Sequence, residues 1–264
     1  MKILSLNAWG GAIFDALRAW LPTCGADVVC LQEVTRTEGL SGWTEFTDGH
    51  RRLPQRADLF RDMVDVLPDH VGRFVLSDSG PVTGSDGRRR QQDFGIATFV
   101  HRGIAVPDGA TTFVHGALVR HAEWPSEGRP RVAEALRLVP SGAAAVTVVQ
   151  VHGLHDPAGK SDTPARLAQA ERISELVTRV RAPGDLAVVC GDLNVLPDSR
   201  TFDVLAQVGM TDLVRYADTR TSQYSKPVRH ASYLLVSDPA RVRRFEIVEA
   251  PEVSDHRALL VDLY

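Results

Sequence analysis

Residues 186–194 read LAVVCGDLN, an apolar run that ends in a glycine, an aspartate and an asparagine. The run predicts a buried strand, and the turn after it directs Asp192 and Asn194 outward on the same side. The carboxylate of Asp192 can accept a proton from water, and the amide of Asn194 can donate to a phosphate oxygen. An ordinary strand-to-loop turn is the alternative, because glycine, aspartate and asparagine are common turn formers.

Four further apolar runs carry polar residues at the same kind of position. Asn7 follows KILSL, Glu33 follows VVCLQ and His152 follows VTVVQV. Asp255 and His256 come just before RALLVDL. Burying such groups without a partner costs several kcal/mol, on the order of 2–7 for a polar group. Their number therefore predicts that strand ends converge on one polar site, held rigidly by a sheet.

Each of these residues also has a purely structural interpretation. Glu33 offers the hard oxygen that Mg²⁺ prefers, but a capping or ion-paired glutamate would look the same. His152 can donate to a phosphoryl oxygen, yet most strand-end histidines are simply hydrogen-bonded. A Ser-Asp turn would explain Asp255 without catalysis, and Asn7 could merely close a turn.

The composition predicts a globular protein that forms one domain over residues 1–264. Its hydrophobic content of 44% is enough for a real core. The formal net charge of −3 gives no global basic field for nucleic acid, although a local basic groove remains compatible with it. No apolar run reaches the about 18 residues of a membrane span. The 3 cysteines favour buried thiols in a reducing compartment, so we expect a cytoplasmic monomer without a membrane partner.

Short apolar strands and helical segments follow one another along the chain. Strands are predicted at residues 2–6, 27–32, 73–77, 94–100, 132–139, 143–152, 186–190, 232–237, 242–248 and 257–263. Helices are predicted at residues 11–24, 56–69, 164–181 and 200–208. Pairs of strands flank the helices, which favours mixed sheets packed on one another with helices outside over a doubly wound parallel sheet.

Residues 78–93 and 119–131 lack periodicity and are predicted to be loops. They are either solvated surface or the rim of a site for an anionic substrate. In the second case the substrate-binding candidates are their arginines and tryptophan: Arg88, Arg89, Arg90, Trp124, Arg129 and Arg131. Guanidinium groups match the geometry of phosphate, and an aromatic ring can stack on a base.

Taken together, these motifs resemble those of the endonuclease/exonuclease/phosphatase superfamily, which has the DNase I-like fold. The matching motifs occur in the family's order: SLNAWG with Asn7, LQE with Glu33, VH with His152, GDLN with Asp192 and Asn194, and SDH with Asp255 and His256. They span residues 5–256. The resemblance implies a four-layer α/β sandwich, with two mixed β-sheets face to face and helices outside. It also implies a divalent metal, Mg²⁺ or Mn²⁺, with Glu33 as its principal ligand and Asn7 and Asp255 as further or water-mediated ligands.

For the catalytic groups, the resemblance implies phosphoester hydrolysis without a covalent enzyme intermediate. Asp192 would orient and deprotonate the attacking water, and Asn194 would hold the phosphoryl group. His152 and His256 would stabilise the charge that develops on the phosphoryl oxygens. The sequence does not decide whether Asp192 or His256 is the formal base.

Two positions depart from the family pattern. In the stretch HASYLLV, residues 230–236, Ser232 stands where the family usually has an aspartate that buttresses the catalytic histidine. A serine brings no charge, so we expect a lower pKa for His256 unless another acid substitutes. Trp9 stands where some nucleases of the family carry an acidic residue, which resembles the phosphodiesterase branches more than the abasic-site nucleases.

Three functions are compatible with these features. The favoured one, by a narrow margin, is a Mg²⁺-dependent phosphodiester hydrolase or nuclease that acts on nucleic acid or a nucleotide-like diester by in-line attack of water. The second is a phosphatase or phosphodiesterase for a small molecule or lipid headgroup. The third is a catalytically weakened descendant that binds phosphate, which Ser232 would allow.

Overall fold

A computed structural model describes residues 1–49, 51–156 and 158–264 of the protein. Strands make up most of the regular structure in these residues. They are β1 Lys2–Asn7, β2 Val28–Arg36, β3 Trp43–Thr47, β4 Arg52–Arg56, β5 His70–Gly84, β6 Arg89–His101, β7 Ile104–His115, β8 Val119–Arg120, β9 Arg131–Pro140, β10 Val146–His152, β11 Leu186–Asp192, β12 Thr211–Asp212, β13 Ser232–Val236, β14 Val242–Ile247 and β15 Leu259–Leu263. The helices are α1 Phe14–Trp20, α2 Leu59–Val66, α3 Pro164–Val180 and α4 Thr201–Ala206.

The strands form two mixed sheets. The first has the order β14-β15-β1-β2-β6-β5-β3-β4, with β8 pairing to β5. The second has the order β12-β13-β11-β10-β9-β7. In each sheet the central pair, β1 with β2 and β10 with β11, is parallel. The carboxyl ends of both parallel pairs carry the polar residues that the sequence singled out.

Alternation along the central strands shows that the sheets face each other under outer helices. On β2, Val28 and Cys30 join the core between the sheets, whereas Val29 and Leu31 pack beneath the helices. Leu17 of α1 is in that second cluster. Such a strand is buried on both faces, which is why it reads as a nearly continuous apolar run. The predicted sandwich of two mixed sheets with helices outside is therefore confirmed.

Helix α3 packs against the second sheet and begins where the sequence indicates. The side chain of Thr163 accepts a hydrogen bond from the backbone N–H of Arg166, and a proline follows Thr163 in the first turn. Ile173, Leu176 and Val177 are buried on one face of the helix. This face closes the outer layer over the second sheet.

A buried polar chain fixes the two sheets relative to each other. Gln32 of β2 donates to Gln150 of β10 over 3.1 Å. Gln150 in turn donates to Thr98 of β6 over 2.6 Å, so the chain crosses between the sheets twice. All three side chains are buried. Sliding one sheet along the other would leave these groups unpaired, which is costly in a core.

The prediction that residues 78–93 form a loop is wrong. These residues belong to the extended hairpin of β5 and β6, in which Asp78 pairs with Phe94 and Thr83 with Arg89. The strands are polar here because Asp78 and Gln92 are buried with side-chain partners. The segment 119–131 is a loop apart from the short β8 and the first residue of β9.

Several other boundaries differ from prediction. The helix predicted at residues 11–24 is α1 flanked by 3-10 turns at Trp9–Gly11 and Leu21–Cys24. Strands β3, β4, β7, β8 and β12 were not predicted. Their exposed faces break the apolar pattern, and β7 alternates between half-buried and exposed residues. Among the helices of the three described segments, none is long and apolar enough to cross a membrane.

Candidate active site

Strand register brings the polar strand ends of the second sheet side by side. His152 at the end of β10 pairs with Asp192 at the end of β11. Asp192 pairs in turn with Ser232 at the start of β13. All three side chains are buried, and they lie along one edge of the sheet.

Asn7 links the two sheets at this edge. Its Nδ2 donates to Oε1 of Glu33 over 3.1 Å and to Oδ2 of Asp192 over 3.0 Å. Its Oδ1 accepts a hydrogen bond from the backbone N–H of Trp9. Asn7 therefore presents its amide nitrogen, not its oxygen, to the two carboxylates. This orientation suits a residue that holds Glu33 and Asp192 together better than a direct metal ligand.

The backbone at Glu33 is built to aim its side chain. The pairing of β2 with β6 shifts register between Gln32 and Val34, so Glu33 is the extra residue of a bulge. Its φ is +55°, and Asn194 has φ +54°. Left-handed backbone costs about 1–3 kcal/mol for such residues and is concentrated at functional sites. Both residues thus depart from regular structure where they contribute to the candidate site.

Gly191 explains how Asp192 reaches this position. Its φ is +139°, and a Cβ there would lie 2.0 Å from the carbonyl oxygen of Val151. A side chain is therefore excluded. The close approach of β10 and β11 lets the next residue, Asp192, stand beside His152.

His256 closes the site from the segment before β15. Its Nδ1 lies 2.8 Å from Oγ of Ser232, and its Nε2 lies 3.5 Å from Oδ2 of Asp192. Burial lowers the pKa of His256 well below its usual value, and the positive charge of Arg220 lowers it further. Ser232 thus contacts His256 from the position at which the family usually has an aspartate. In the described part of the chain, no acid lies within ion-pair distance of Nδ1.

His152 faces the same carboxylates. Its Nε2 lies 3.8 Å from Oε1 of Glu33. Burial lowers its pKa well below the usual value, and Arg131 adds to the effect. At neutral pH both site histidines are therefore neutral imidazoles, which can donate one ring N–H and accept at the other nitrogen.

Asp255 is held by a cation stacked on an aromatic ring. Nη1 of Arg220 donates to Oδ2 of Asp255 over 2.7 Å, and this guanidinium lies 3.9 Å from the ring centre of Tyr224. Burial raises the pKa of Asp255 to about 7; Arg220 opposes the rise, whereas Glu33 and Asp192 add to it. Asp255 thus lies near the other two carboxylates but is already engaged by Arg220.

The donor set fits a divalent cation. Ligand atoms of Glu33, His152 and Asp192 lie within 4.8 Å of one another. Burial is the main cause of the raised pKa of Asp255, and the nearby charges of Glu33 and Asp192 add to it. A cation between these carboxylates would neutralise part of that negative charge. Carboxylate oxygens are the ligands that Mg²⁺ prefers, usually with several waters. Glu33 would hold the ion, with Asp192, His152 and Asp255 close by.

Burial by itself raises the pKa of Asp192. The neighbouring positive groups His256, Arg220 and Lys160 more than offset this effect, and the pKa lies below its usual range. Because its histidine partner is neutral near pH 7, we attribute the offset at that pH to Arg220 and Lys160. Asp192 is therefore a carboxylate throughout the neutral range, ready to accept a hydrogen bond from water.

These groups line a cavity of about 450 Å³. Its deep part holds the buried residues Asp192, Asn194 and His256. Its mouth is formed by four regions that contain exposed residues, at 51–55, 126–129, 155–156 together with 159–160, and 223–228. The volume lies within the range of about 300–1,000 Å³ that is typical of small-molecule sites.

Of the predicted substrate-binding residues, the structure brings Arg129 and Arg131 to the cavity. Arg131 is buried; its Nε donates to the carbonyl of Gly153 and its Nη1 to that of Pro130, whereas no described group accepts from its Nη2. Burial lowers its pKa to about 10. Arg131 thus brings a positive charge, with one free donor, to the cavity wall.

The remaining substrate-binding candidates lie elsewhere. Arg88 is exposed in the turn between β5 and β6, and Arg90 makes a two-point ion pair with Asp86 there. Trp124 is buried and packs its ring 4.2 Å from the guanidinium carbon of Arg129, so it presents no free face to a base. Arg89 donates to Glu123 near the same turn.

The cavity residues that were not predicted from the sequence include Lys160, Arg220 and Tyr224. Arg220 gives no local signal, because its partner Asp255 is distant in sequence. Lys160 does carry one. The chain has 3 lysines among its 30 lysines and arginines, and both Lys160 and Lys226 line the cavity.

Fold and site together define a class of protein, the hydrolases of phosphoester bonds. The chain belongs to the endonuclease/exonuclease/phosphatase family, whose sequence model matches residues 4–256. No curated protein matches the chain in sequence.

Solved structures share the fold at low identity. A Bacteroides thetaiotaomicron mannosyl-6-phosphatase has 15% identity and a TM-score of 0.68, and the match covers 100% of this chain and 99% of that one. The human Nocturnin catalytic domain with bound sulfate has 16% identity and a TM-score of 0.65, with 100% and 94% covered. A D. rerio TDP2 humanized by 14 mutations has 12% identity and a TM-score of 0.64, with 99% and 97% covered. These matches show that the chain has the same fold as these three proteins.

Proposed function

We propose that the protein is a divalent-metal-dependent phosphoesterase that hydrolyses a small anionic phosphoester. The observation that carries this proposal is the placement of Asp192, Asn194 and His256 deep in a cavity whose mouth is formed by four segments. A ligand of modest size fits such a cavity, whereas a nucleic-acid duplex requires an open surface. The net charge of −3 favours the same choice, since non-specific nucleic-acid affinity depends on neutralising phosphates.

The charge of the cavity supports an anionic substrate. Arg131 and Lys160 both line it, and neither forms an ion pair with a residue in the described segments. A substrate phosphate would supply the missing partner. The mannosyl-6-phosphatase among the structural relatives is named for a small phosphoester, which is compatible with this proposal.

Each chemical task of phosphoester hydrolysis can then be given to a residue of suitable position. Asp192 orients the attacking water and accepts its proton, because it remains a carboxylate at neutral pH. Asn194 has an amide whose nearest acceptor, the carbonyl of Gly153, lies 3.5 Å away, so it can turn to a phosphoryl oxygen. His152 and His256 donate ring N–H groups to the oxygens on which charge develops. Mg²⁺ or Mn²⁺, when bound, would polarise the phosphoryl group and neutralise part of that charge.

A substrate panel tests the proposal. The purified protein should hydrolyse 4-nitrophenyl phosphate, sugar phosphates or nucleotides with Mg²⁺, should lose that activity in EDTA, and should lose it in Asp192→Asn. Single- and double-stranded DNA are assayed in parallel on gels. Cleavage of DNA that Asp192→Asn abolishes, with no turnover of small esters, would instead support the nuclease predicted from the sequence. Turnover that Asp192→Asn leaves unchanged would reject both enzymatic functions.

A further inference from the structure

Lys160 has a single polar contact in the described chain, and that contact leaves most of its donors free. Its Nζ donates to the carbonyl oxygen of His230 over 2.5 Å. It forms no ion pair with any residue that the structure describes, although it lines the cavity. An ammonium group has three N–H donors, so two remain for a ligand.

The backbone on both sides of Lys160 is fixed by one buried side chain. Arg166 of α3 donates through Nη2 to the carbonyl of Gly159 and through Nη1 to that of Ser161. These bonds, of 2.6 and 2.7 Å, bracket Lys160 directly. Arg166 is 1% exposed, so its charge serves the loop and not the solvent. A buried arginine that holds this loop in place is what a site requires when the position of Lys160 is important.

A second anchor ties the same loop to the segment after β11. Asp162 accepts hydrogen bonds from Oγ of Ser199 and from the backbone N–H of Arg200. Thr163 then caps α3. Lys160 is therefore held between two fixed points and cannot swing freely, unlike a surface lysine.

The electrostatic surroundings place Lys160 beside the catalytic carboxylates. Burial lowers its pKa to about 8; Asp192 and Asp255 oppose this effect, whereas Arg220 and Arg166 add to it. Asp255 and Arg220 neutralise each other as a pair. Four cations of the cavity lining form no ion pair with a described residue: Arg131, Lys160, Arg166 and Lys226. Lys226 is exposed, and Arg166 donates to the carbonyls on either side of Lys160. Lys160 and Arg131 thus remain as the inner cations without acidic partners, one reaching the carbonyl of His230 before β13 and the other beginning β9.

Because β10 and β11 lie between β9 and β13, these two cations flank Asp192 and Asn194 from opposite sides. A terminal phosphate carries about two negative charges at neutral pH, whereas a phosphodiester carries a single one. Two inner cations without acidic partners match the two charges of a terminal phosphate better than the single charge of a phosphodiester. Lysine also suits this task as a compact point charge on a terminal oxygen.

Resting on the proposed phosphoesterase function, we propose that Lys160 binds a terminal phosphoryl oxygen and makes the site selective for phosphomonoesters over phosphodiesters. Arg131 binds the same group from the other side. Arg166 acts through Lys160 and is a positioning residue.

The test compares four proteins on two substrates in Mg²⁺: the wild type, Lys160→Met, Lys160→Arg and Lys2→Met, each with 4-nitrophenyl phosphate and bis(4-nitrophenyl) phosphate. Lys2→Met is the matched control, because Lys2 also donates to a backbone carbonyl, that of Cys24, and is not part of the cavity lining. We expect Lys160→Met to lower kcat/KM for the monoester by about 100-fold, the scale of losing one charge-stabilising donor. The diester value should change little, Lys160→Arg should restore part of the loss, and Lys2→Met should match the wild type.

Equal losses on both substrates, or no loss on either, would overturn the proposal. Thermal melting checks that Lys160→Met is folded, and Lys160→Gln, which also removes the charge, serves in its place if it is not. Binding of inorganic phosphate in Mg²⁺, measured by calorimetry, separates this proposal from the proposed function. If the wild type hydrolyses neither ester, the phosphoesterase function fails, and weaker phosphate binding by Lys160→Met still supports the phosphate contact. Unchanged phosphate affinity in Lys160→Met rejects it.

Discussion

Oγ of Ser232 lies 2.8 Å from Nδ1 of His256, and both side chains are buried. A serine hydroxyl can donate to an unprotonated Nδ1, which leaves the ring proton on Nε2, the nitrogen that faces Asp192 at 3.5 Å. The family's usual aspartate would instead accept from Nδ1–H and favour the charged ring. The neutral imidazole of His256 is thus a hydrogen-bond donor that works without a positive charge.

Replacing Ser232 tests this relationship in two directions. Ser232→Ala leaves Nδ1 without a partner, so we expect kcat to fall about tenfold, the equivalent of 1–2 kcal/mol for one buried hydrogen bond. Ser232→Asp places a carboxylate beside the ring and should raise the pKa of His256. NMR titration of the His256 ring and the pH profile of kcat measure both effects. An unshifted titration in Ser232→Asp would show that the two groups are not coupled.

Glu33→Gln should weaken the response to metal. The bulged backbone of Glu33 directs a carboxylate toward Asp192 and His152, and the amide of glutamine removes its charge. We expect the Mg²⁺ concentration for half-maximal activity to rise by at least about 10- to 100-fold. The exposed Glu38→Gln is the control and should behave as the wild type. Equal metal dependence in both variants would remove Glu33 from the metal site.

The pKa of Lys160 predicts that activity on a phosphomonoester falls at alkaline pH. Its pKa of about 8 is set first by burial, with Asp192 and Asp255 opposing and Arg220 and Arg166 assisting the shift. The ammonium is charged below this pH and neutral above it, so kcat/KM for a phosphomonoester should fall by about tenfold per pH unit well above pH 8. Lys160→Arg keeps its charge and should move the fall to higher pH. Profiles that coincide for the two proteins would contradict the prediction.

Gly191→Ala should destabilise the fold severely. The new Cβ would lie 2.0 Å from the carbonyl oxygen of Val151, in a backbone with φ +139°. We expect the free energy of unfolding to drop by at least about 3 kcal/mol, measured by urea denaturation. Gly184→Ala separates the clash from the φ angle, because Gly184 has φ +85° but open space around its Cβ position. A comparable loss in both variants would mean that the clash is relieved by a small shift.

Replacing Arg129 should destabilise the fold, because the buried carboxylate of Asp78 then loses its arginine. Its Nε and Nη2 donate to the carboxylate of Asp78 over 2.8 and 3.0 Å, and Asp78 is fully buried. Arg129→Ala should cost about 3 kcal/mol of unfolding free energy, because the buried carboxylate loses its guanidinium partner and keeps its contacts with His121 and Ser77. Arg90→Ala breaks an equally two-pointed pair with Asp86 at the surface and should change stability little. Equal stability of the two variants would contradict this account.

The sequence predicted the parts of the fold in which burial leaves a simple pattern. The parallel central strands β1, β2, β10 and β11 are buried on both faces and read as apolar runs. Their polar ends were identified for the same reason, since a charged residue after such a run stands out. The apolar pattern does not determine strand register. It is the register that brings His152 beside Asp192.

The polar strands could not be recognised in this way. Residues 78–93 were predicted to be a loop, because the buried Asp78 gains its partner Arg129 from a segment far along the chain. One local signal was present: Asp86 and Gly87 form the turn of a hairpin, a pair common in tight hairpin turns. Trp124 was predicted at the substrate, but a tryptophan in a polar segment packs just as well on an arginine.

The order in which the strands are made has a consequence for when the protein becomes active. Strand β1 is made first but pairs with β15, and the segment just before β15 delivers Asp255 and His256. On the ribosome, β1 therefore waits with an open edge while some 250 residues are added. The candidate site cannot be complete until β15 has been inserted beside it. A nascent chain held before that point would lack the two polar residues that the segment before β15 brings to the site.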